Sequence, residues 1–357
     1  MTVPRLTRAA AFQLRRRRYP ASPQTHRARF SSPAGLGALR IVALAAAMCV
    51  ASGGAVAEAS TRTLAPAALP VSAAAALPAS PPDSAAPAVS TSGIPAFDHV
   101  YLIVMENHEF GTIVGNSHAP YINGLIRRYG LATNMRAVAH PSQPNYLALF
   151  AGSTFGIRDD GIHHLGSRNL ADQLEAHGRT WHVYAQNLPA PCSQVFGSQG
   201  AVDLAGLPGW YARKHEPAIT FNDIARSSSR CARITHLAGF KPTAADFELV
   251  IPNMNNDMHD GTIAQGDAFL RAFVPLITSN AAFANSLLVI TWDEGGSNVG
   301  GGGRVATIIV SPHVPTGFRS NVAHTHYSVL RTIEDAWGLG CLNQACKANN
   351  VGEFFTR

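Results

Sequence analysis

The segment HVYLIVME, His99 to Glu106, is a run of apolar residues that ends in an acid. An uninterrupted run of this kind is typical of a strand buried on both faces, because a strand with one wet face would alternate polar and apolar residues. Further runs with this pattern are TWHVYAQ (180–186), DFELVIPN (246–253), SLLVITWDE (286–294) and VATIIVSP (305–312).

Amphipathic segments typical of helices lie between these runs. They are YINGLIRRYG (121–130, ending at Gly130), NLADQLEAHG (169–178), IAQGDAFLRAFVPLI (263–277) and YSVLRTIEDAWGL (327–339). Buried strands that alternate with helices predict an α/β fold with a mainly parallel central sheet covered on both faces. In such folds ligands bind beyond the carboxyl ends of the strands.

The residues before this pattern are predicted to be an export signal and a linker. Residues 1–57 carry nine Arg and no acid, and the apolar run IVALAAAMCV precedes a small-residue cleavage site at Ala55-Val56-Ala57. Residues 58–95 are rich in Ala, Pro and Ser, which predicts a disordered linker. Residues 96–357 then form one catalytic domain. We expect a secreted or periplasmic protein, with an uncleaved N-terminal anchor as the alternative.

The basic charge of the chain belongs mostly to its leader. The sequence has 28 basic and 22 acidic residues, and removal of the nine Arg of residues 1–57 leaves 19 basic against 22 acidic residues. The high isoelectric point is therefore poor support for nucleic-acid binding, and we exclude nucleic acid as a partner.

Four cysteines follow the leader, at Cys192, Cys231, Cys341 and Cys346. An even number in an exported protein suggests two disulfides, for which three pairings are possible. We favour the local pairs Cys192–Cys231 and Cys341–Cys346, which would contribute roughly 4 and 2 kcal/mol by loop closure. Free buried thiols are the alternative.

Polar side chains follow several predicted strands at the point where each strand ends. The groups are Glu106-Asn107-His108, the run from Asn255 to Gly261, the run from Trp292 to Gly296, and His324-Thr325-His326. Each group alone also fits a turn or a solvated strand end. Together they predict a metal site whose oxygen-rich ligands suit Mg, Ca or Mn, while the imidazoles leave Zn or Fe open.

The segment AHPSQPNYLALFAG, Ala139 to Gly152, places Ser142 at the start of a predicted helix. One interpretation is that Ser142 is a plain N-cap, with Pro144 in the first turn. The other is that Ser142 is a nucleophile. A neighbouring divalent ion would acidify its hydroxyl, and the helix N-terminus would attract phosphate oxygens.

Five segments in order resemble one known family. They are MENHEFGTIVG, HPSQPNYLALFAG, YARKHEP, IPNMNNDMHDGTIAQGD and TWDEGG. They are similar to the phosphoesterase family of bacterial acid phosphatases and phospholipases C, within the alkaline-phosphatase superfamily, and most similar to its secreted acid phosphatase and phosphatidylinositol-3-phosphatase branch. The resemblance runs from about Phe97 to about Trp337. It implies a three-layer α/β/α sandwich and a metal-assisted phosphomonoesterase.

The resemblance also implies roles for individual residues. Ser142 matches the position of the nucleophile. The implied metal ligands are Glu106, Asn107, Asp293 and Glu294, with Asp257, His259 and His326 where the wider superfamily places a second metal. The implied contacts to the substrate phosphate are His215, Lys214 and His140. The short spacing from Asp257 to His259 departs from the superfamily pattern, so His259 or His326 is the alternative general acid.

Two other functions compete with a phosphomonoesterase. A phospholipase C would cleave phosphodiesters of lipid head groups, but the larger phospholipases of the family carry long extra regions that this short domain lacks. A non-catalytic secreted binding protein would have no need for both Ser142 and the acids. We therefore expect a phosphomonoester as the partner, with a phosphoinositide at a membrane surface as one candidate, and no obligate protein partner.

Overall fold

The structure is a computed structural model that describes residues 93–193, 201–202, 208–209 and 211–356. The predicted signal at residues 1–57 and almost all of the predicted linker at residues 58–95 lie outside the described residues. Within the described ranges, no helix combines the length and the apolar character that a membrane span requires.

The predicted strands and helices are present, and short elements join them. The strands are β1 (His99–Met105), β2 (Gly130–Arg136), β3 (Trp181–Ala185), β4 (Ala201–Val202), β5 (Pro208–Gly209), β6 (Ile234–His236), β7 (Phe247–Ile251), β8 (Ser286–Trp292), β9 (Arg304–Val310), β10 (Arg319–Ser320) and β11 (His324–Thr325). The α-helices are α1 (Phe110–Ile113), α2 (Pro120–Arg128), α3 (Ser142–Ala151), α4 (Leu170–Ala176), α5 (Asn222–Ala225), α6 (Ser228–Cys231), α7 (Ile263–Thr278) and α8 (His326–Trp337).

The central sheet has the strand order β10-β2-β9-β8-β1-β7-β3-β6, and β11 also pairs with β2. Neighbouring strands from β8 through β1, β7 and β3 to β6 are parallel, whereas β9 is antiparallel to both β8 and β2. All seven residues of β8 are buried, so both faces of the sheet are covered. The predicted α/β class with a mainly parallel sheet is confirmed.

One predicted boundary is wrong, and one strand was missed there. The helix α2 ends at Arg128, and Gly130 begins β2 instead of ending the helix. A Cβ at Gly130 would lie 2.5 Å from the ring of Phe354, so this glycine allows the strand to pack closely. The sequence of β2, GLATNMR, mixes polar and apolar residues without a clear period, which hides the strand.

Both predicted disulfides are present, Cys192–Cys231 and Cys341–Cys346. The first closes a loop of 39 residues and the second a loop of 5 residues. The local pairing is therefore confirmed.

The strand order brings three polar groups together. In the sheet β1 lies between β8 and β7, and all three strands run in the same direction. Their carboxyl ends therefore lie side by side at one edge, and the polar residues that follow them meet there. These residues include Glu106 after β1, Asp257 after β7 and Asp293 after β8.

Candidate active site

Three buried carboxylates form the centre of the site. Glu106 and Asp293 are fully buried, and Asp257 is 1% exposed. Backbone hydrogen bonds fix the segments that carry them: Glu106 N–H donates to Asp257 O (2.8 Å) and Asp293 N–H donates to Met105 O (2.9 Å). The acids are thus held together by the main chain of the sheet edge.

Burial and mutual repulsion make these acids hard to ionise. Burial raises the pKa of Glu106 well above its ordinary value, and the charges of Asp293 and Asp257 raise it further. Burial also raises the pKa of Asp257 well above its ordinary value and that of Asp293 in the same direction. These acids cannot all be ionised at once unless a positive charge lies among them, so the cluster is suited to binding a cation.

Asn107 is linked to this cluster through its backbone. Its N–H donates to Asp293 Oδ1 (3.1 Å), and its φ angle of 53° places it in the left-handed region. Asn tolerates that conformation better than most residues. The structure therefore shows the backbone of Asn107 bonded to Asp293, and the predicted metal contact of Asn107 stays a prediction.

Ser142 is the first residue of α3 and lies against the cluster. It is 1% exposed, and its hydroxyl donates to Glu106 Oε2 (3.2 Å). The nearby Ser142 side chain also offsets part of the rise in the pKa of Asp293 that burial causes. The helix N-terminus adds a positive dipole end at the same point. The hydroxyl thus lies next to the acids, as a nucleophile beside a metal would.

Tyr146 lies one helical turn after Ser142 and contacts the other oxygen of Glu106. Its hydroxyl donates to Glu106 Oε1, and its ring stacks on the imidazole of His215 with 5.2 Å between ring centroids. Because residues four apart share a helix face, α3 presents Ser142 and Tyr146 to the same carboxylate. Tyr146 was not among the predicted site residues, although its spacing of four residues from Ser142 is typical of two side chains on one helix face.

His215 belongs to the acid cluster. Its Nε2 lies 3.3 Å from Glu106 Oε1 and its Nδ1 lies 3.4 Å from Asp257 Oδ2. Burial lowers the pKa of His215 well below its ordinary value, and the charge of Lys214 adds to the effect, so the imidazole is neutral. The structure therefore places His215 among the candidate metal ligands, while the sequence predicted a phosphate contact.

The cluster has the donors and the unsatisfied atoms that a metal ion would need. In the described part of the chain, Glu106, His215 and Asp257 each offer a ligand atom within 4.8 Å of the others. Three buried atoms of the cluster have no hydrogen-bond partner in that part of the chain: Asp257 Oδ2, Asp293 Oδ2 and His215 Nε2. The His215 contacts with Glu106 and Asp257 are short enough for ion pairs but do not have the geometry of hydrogen bonds. Mixed oxygen and imidazole donors suit a divalent ion such as Mn, Fe or Zn.

Glu294 faces a different partner from Asp293. Its Oε2 lies 2.9 Å from His140 Nδ1 and accepts from Asn145 Nδ2 (3.4 Å). Burial and the charge of Asp293 raise the pKa of Glu294 to about 7. His140 Nε2 also donates to Ser297 O (2.9 Å), so His140 ties Glu294 to the loop after β8. The structure shows Glu294 beside the cluster, paired with His140.

Lys214 and His259 lie on the outer side of the cluster. Lys214 Nζ donates to Asp160 Oδ2 (3.1 Å) and lies 3.4 Å from His259 Nε2. His259 Nδ1 lies 2.7 Å from Asp260 Oδ1, and its backbone N–H donates to Asp257 Oδ1 (2.7 Å). Asp160 was not among the predicted site residues, because its loop sequence contains no motif that indicates a function.

His326 is bonded to the backbone at the end of β8. It is fully buried, and its Nε2 donates to Trp292 O (3.1 Å) at the end of β8. Burial lowers its pKa to about 4, so the ring is neutral under mildly acidic conditions. The second-metal ligand or general-acid role predicted for His326 stays a prediction.

Comparisons with known proteins identify the family of this chain. The family model described as the phosphoesterase family matches residues 116–340, which include Ser142, His215, Asp257 and Asp293. The phosphatidylinositol-3-phosphatase of Mycobacterium tuberculosis is 37% identical over 271 residues, which cover 75% of this chain and 86% of that protein. This chain belongs to the phosphoesterase family. It is accordingly a hydrolase of phosphoric esters, and the predicted enzyme class is confirmed.

More distant relatives support the family and the fold. The acid phosphatase of Aspergillus fumigatus is 28% identical over 276 residues, which cover 74% of this chain and 60% of that protein. The lipoteichoic acid synthase LtaP of Listeria monocytogenes matches with a TM-score of 0.51 and 8% identity, over 73% of this chain and 79% of that structure. That likeness concerns the fold alone, which is the fold that the resemblance to the alkaline-phosphatase superfamily implied.

Proposed function

We propose that this chain is an exported phosphomonoesterase that transfers a phosphoryl group first to Ser142 and then to water. The observation that carries the proposal is the Ser142 hydroxyl, which lies at a helix N-terminus and 3.2 Å from Glu106 Oε2 inside the acid cluster. The names of the relatives, acid phosphatase and phosphatidylinositol-3-phosphatase, support a phosphoric monoester as the substrate.

The chemistry of the proposal has two steps. In the first, Ser142 Oγ forms a bond to phosphorus while the bond from phosphorus to the alcohol oxygen of the substrate breaks. The hydroxyl proton leaves along the hydrogen bond toward Glu106. In the second step, water attacks the phosphoserine and gives a proton to the histidine that had protonated the alcohol. Inorganic phosphate departs, and the proton held at Glu106 returns to Ser142 Oγ. One phosphomonoester and one water thus give one alcohol and one phosphate.

The proposed metal ligands are Glu106, His215, Asp257 and Asp293. Their buried and unpartnered atoms support this set. A divalent ion bound there supplies positive charge that acidifies a nearby hydroxyl and offsets the charge of the phosphate. Asn107 and Tyr146 hold two of these carboxylates in place through the hydrogen bonds described above.

For the proton that the leaving alcohol needs, position favours His259 over His326. His259 Nε2 lies on the outer side of the cluster beside Lys214, where an alcohol could depart to solvent. His326 is sealed in the interior and donates to a backbone carbonyl. We therefore assign the proton donor to His259 and a positioning role to His326.

The substrate and the location of the enzyme are part of the proposal. Phosphatidylinositol 3-phosphate is the first physiological candidate, because the mycobacterial relative that covers most of this chain is named for it. Export is inferred from the leader at residues 1–57, with its basic and apolar segments.

Replacement of the nucleophile tests the proposal. Ser142→Ala is expected to lower kcat for p-nitrophenyl phosphate by at least about a thousandfold without a change in circular dichroism, because the acceptor of the phosphoryl group is lost. Acid quenching of the wild-type enzyme during turnover is expected to leave phosphate on the peptide that contains Ser142, as seen by mass spectrometry.

The exposed Ser117 provides a matched control. Ser117→Ala removes the same hydroxyl at a position outside the cluster and is expected to keep wild-type turnover. Full activity of Ser142→Ala would remove Ser142 from the mechanism. Release of phosphocholine from phosphatidylcholine, with no release of phosphate from monoesters, would identify a phospholipase C instead.

A further inference from the structure

Asp160 links the nucleophile helix to Lys214. It lies in the irregular segment between α3 and α4. Its Oδ1 accepts from the backbone N–H of Gln143 (3.0 Å), the residue that follows Ser142, and its Oδ2 accepts from Lys214 Nζ (3.1 Å). A single carboxylate therefore bridges the N-terminus of α3 and an ammonium group.

These two donors are the groups that a phosphate would use in this position. The ten-residue helix α3 directs its first N–H groups and its dipole toward an anion, and Lys214 supplies a full positive charge. Gln143 directly follows Ser142, where the proposed reaction needs the phosphate, and Asp160 joins its N–H to Lys214. In the described part of the chain, the N-cap residue Pro141 gives α3 no side-chain hydrogen bond. The Asp160 carboxylate accepts from the Gln143 N–H in its place.

A second observation indicates that a polar ligand belongs here. The side chain of Gln143 is 1% exposed, and within the described ranges neither its Nε2 nor its Oε1 has a hydrogen-bond partner. A buried amide without partners loses its hydrogen bonds to water and gains none in return, so such groups are rare unless a ligand satisfies them. The unpartnered amide and the N–H held by Asp160 belong to the same residue.

We propose that the Asp160 carboxylate occupies the phosphate-binding position of the free enzyme and that the phosphate group of the substrate displaces it. The proposal rests on the proposed function, because it assigns the phosphate subsite of that same reaction. The subsite consists of the Gln143 N–H and Lys214, and the unpartnered Gln143 amide belongs to the same first turn of α3. A phosphate dianion and the carboxylate repel each other in so small a space, so the two cannot bind these donors together.

The surroundings of Asp160 allow it to move. Its side chain is about a quarter exposed, and Gly161 follows it. Neither a helix nor a strand includes it. Rotation of the side chain toward solvent therefore breaks the two hydrogen bonds without disturbing the sheet or α3. Asp160 lowers the affinity for phosphate, of substrate and product alike, and keeps Lys214 and the helix end paired between turnovers.

Two other roles for Asp160 predict different results. If Asp160 positions Lys214 for the phosphate, its replacement weakens phosphate binding. If Asp160 is only a cap for α3, its replacement lowers the melting temperature and leaves phosphate binding unchanged. The sign of the change in phosphate affinity therefore decides among the three roles.

The test uses Asp160→Asn, which removes the charge but keeps an oxygen that can accept from the Gln143 N–H. Inorganic phosphate is titrated by calorimetry into the full chain, with and without chelator, and is also assayed as a competitive inhibitor of p-nitrophenyl phosphate hydrolysis. We expect phosphate to bind about fivefold more tightly to the variant, the order of magnitude of one partly exposed ion pair.

Asp159→Asn is the matched control. Asp159 is the preceding residue and carries the same charge, but its carboxylate pairs with His163 (2.6 Å) and with the N–H of Gly161 (2.8 Å), outside the subsite. Its phosphate affinity is expected to stay within about twofold of wild type. Should Asp160→Asn yield too little folded protein, Asp160→Ser supplies a shorter acceptor for the same comparison.

Unchanged or weaker phosphate binding in the Asp160 variants, relative to the control, overturns the proposal. Because calorimetry needs no turnover, this result is separate from the proposed function. If the wild type hydrolyses no phosphomonoester but Asp160→Asn binds phosphate more tightly, the enzymatic proposal fails and the subsite stands. If the wild type is active and the affinity does not rise, only the displacement proposal fails.

Discussion

Two groups of buried acids in this molecule have the same burial but different surroundings. The site acids Glu106, Asp257 and Asp293 lie against one another. The other group is spread through the fold, and each member accepts hydrogen bonds from backbone N–H groups. Its members are Glu216, paired with Ala218 N and Ile219 N, Glu248, paired with Ala245 N, and Glu334, paired with Leu342 N.

The difference separates a structural acid from a functional one. Burial raises the pKa in both groups, to about 7 for Glu216 and Glu248 and to about 8 for Glu334. An isolated buried acid avoids the cost of a buried charge by binding a proton and accepting hydrogen bonds from a few N–H groups. Acids in contact also repel one another when they are ionised, so their arrangement favours a cation that all of them share. We therefore expect the site acids to lower the stability of the protein when no cation is bound, whereas the isolated acids hold loops in place.

The largest effect that follows from this comparison is expected for Asp293→Asn. The variant should bind less metal, as measured by elemental analysis, and lose activity by about a thousandfold, since one charge of the cluster is gone. In the presence of chelator, however, it should unfold at a higher temperature than wild type, because the repulsion with Glu106 is relieved by about 1 kcal/mol.

Glu248→Gln is the control, because it removes the charge of an isolated acid on β7. It should retain metal and activity. Chelator should lower the melting temperature of wild type and of Glu248→Gln by several degrees, while Asp293→Asn should respond much less. Full metal content in Asp293→Asn would contradict the role of Asp293 as a metal ligand. Lower stability than wild type in chelator would contradict the repulsion between Asp293 and Glu106.

The sequence alone identified the residues of the cluster that directly follow strands. Glu106 and Asp293 each end a long apolar run, and parallel strands that end at one edge bring such residues together. The same rule does not reveal His215, which reaches the cluster from an irregular segment with a short 3₁₀ turn at Arg213–His215. Only the family resemblance drew attention to that segment, and it suggested a phosphate contact.

The contacts of Tyr146 and Asp160 show a second limit. Both side chains meet their partners across long stretches of sequence, 40 residues for Tyr146 and Glu106 and 54 residues for Asp160 and Lys214. No local pattern encodes the distance from α3 to the end of β1, or the distance from the loop after α3 to Lys214. Similarly, the antiparallel direction of β9 depends on the chain between Asp293 and Arg304, and a strand pattern carries no direction.

A pH dependence of stability is expected from Glu334. Its pKa is raised to about 8 by burial, so the folded state holds a proton that the unfolded chain has released. Its contribution to stability is therefore complete below about pH 4.5 and is lost as the pH rises through about 8. In that window wild type should lose up to about 1.4 kcal/mol of unfolding free energy per pH unit from this group.

Urea unfolding of Glu334→Gln between pH 5 and pH 8 measures this contribution. Gln keeps an acceptor for Leu342 N–H but cannot ionise, so the slope against pH should decrease and the variant should be more stable than wild type at pH 8. Asp335→Asn changes the charge of the next residue, which pairs with Arg331, and serves as the control. Equal slopes for wild type and Glu334→Gln would contradict a raised pKa.

The smallest expected effect separates the contribution of the Glu248 hydrogen bonds to stability from that of its charge. At pH 5 Glu248 is mostly protonated, and Glu248→Ala should lower the unfolding free energy by about 1–2 kcal/mol, because the N–H of Ala245 loses its acceptor. Glu248→Gln keeps an acceptor and should lose less. At pH 8 the cost of Glu248→Ala should shrink, since wild type then carries a buried charge. A cost that grows with pH would instead mean that the ionised carboxylate is the stabilising form, and the contrast with the site acids would then rest on metal binding alone.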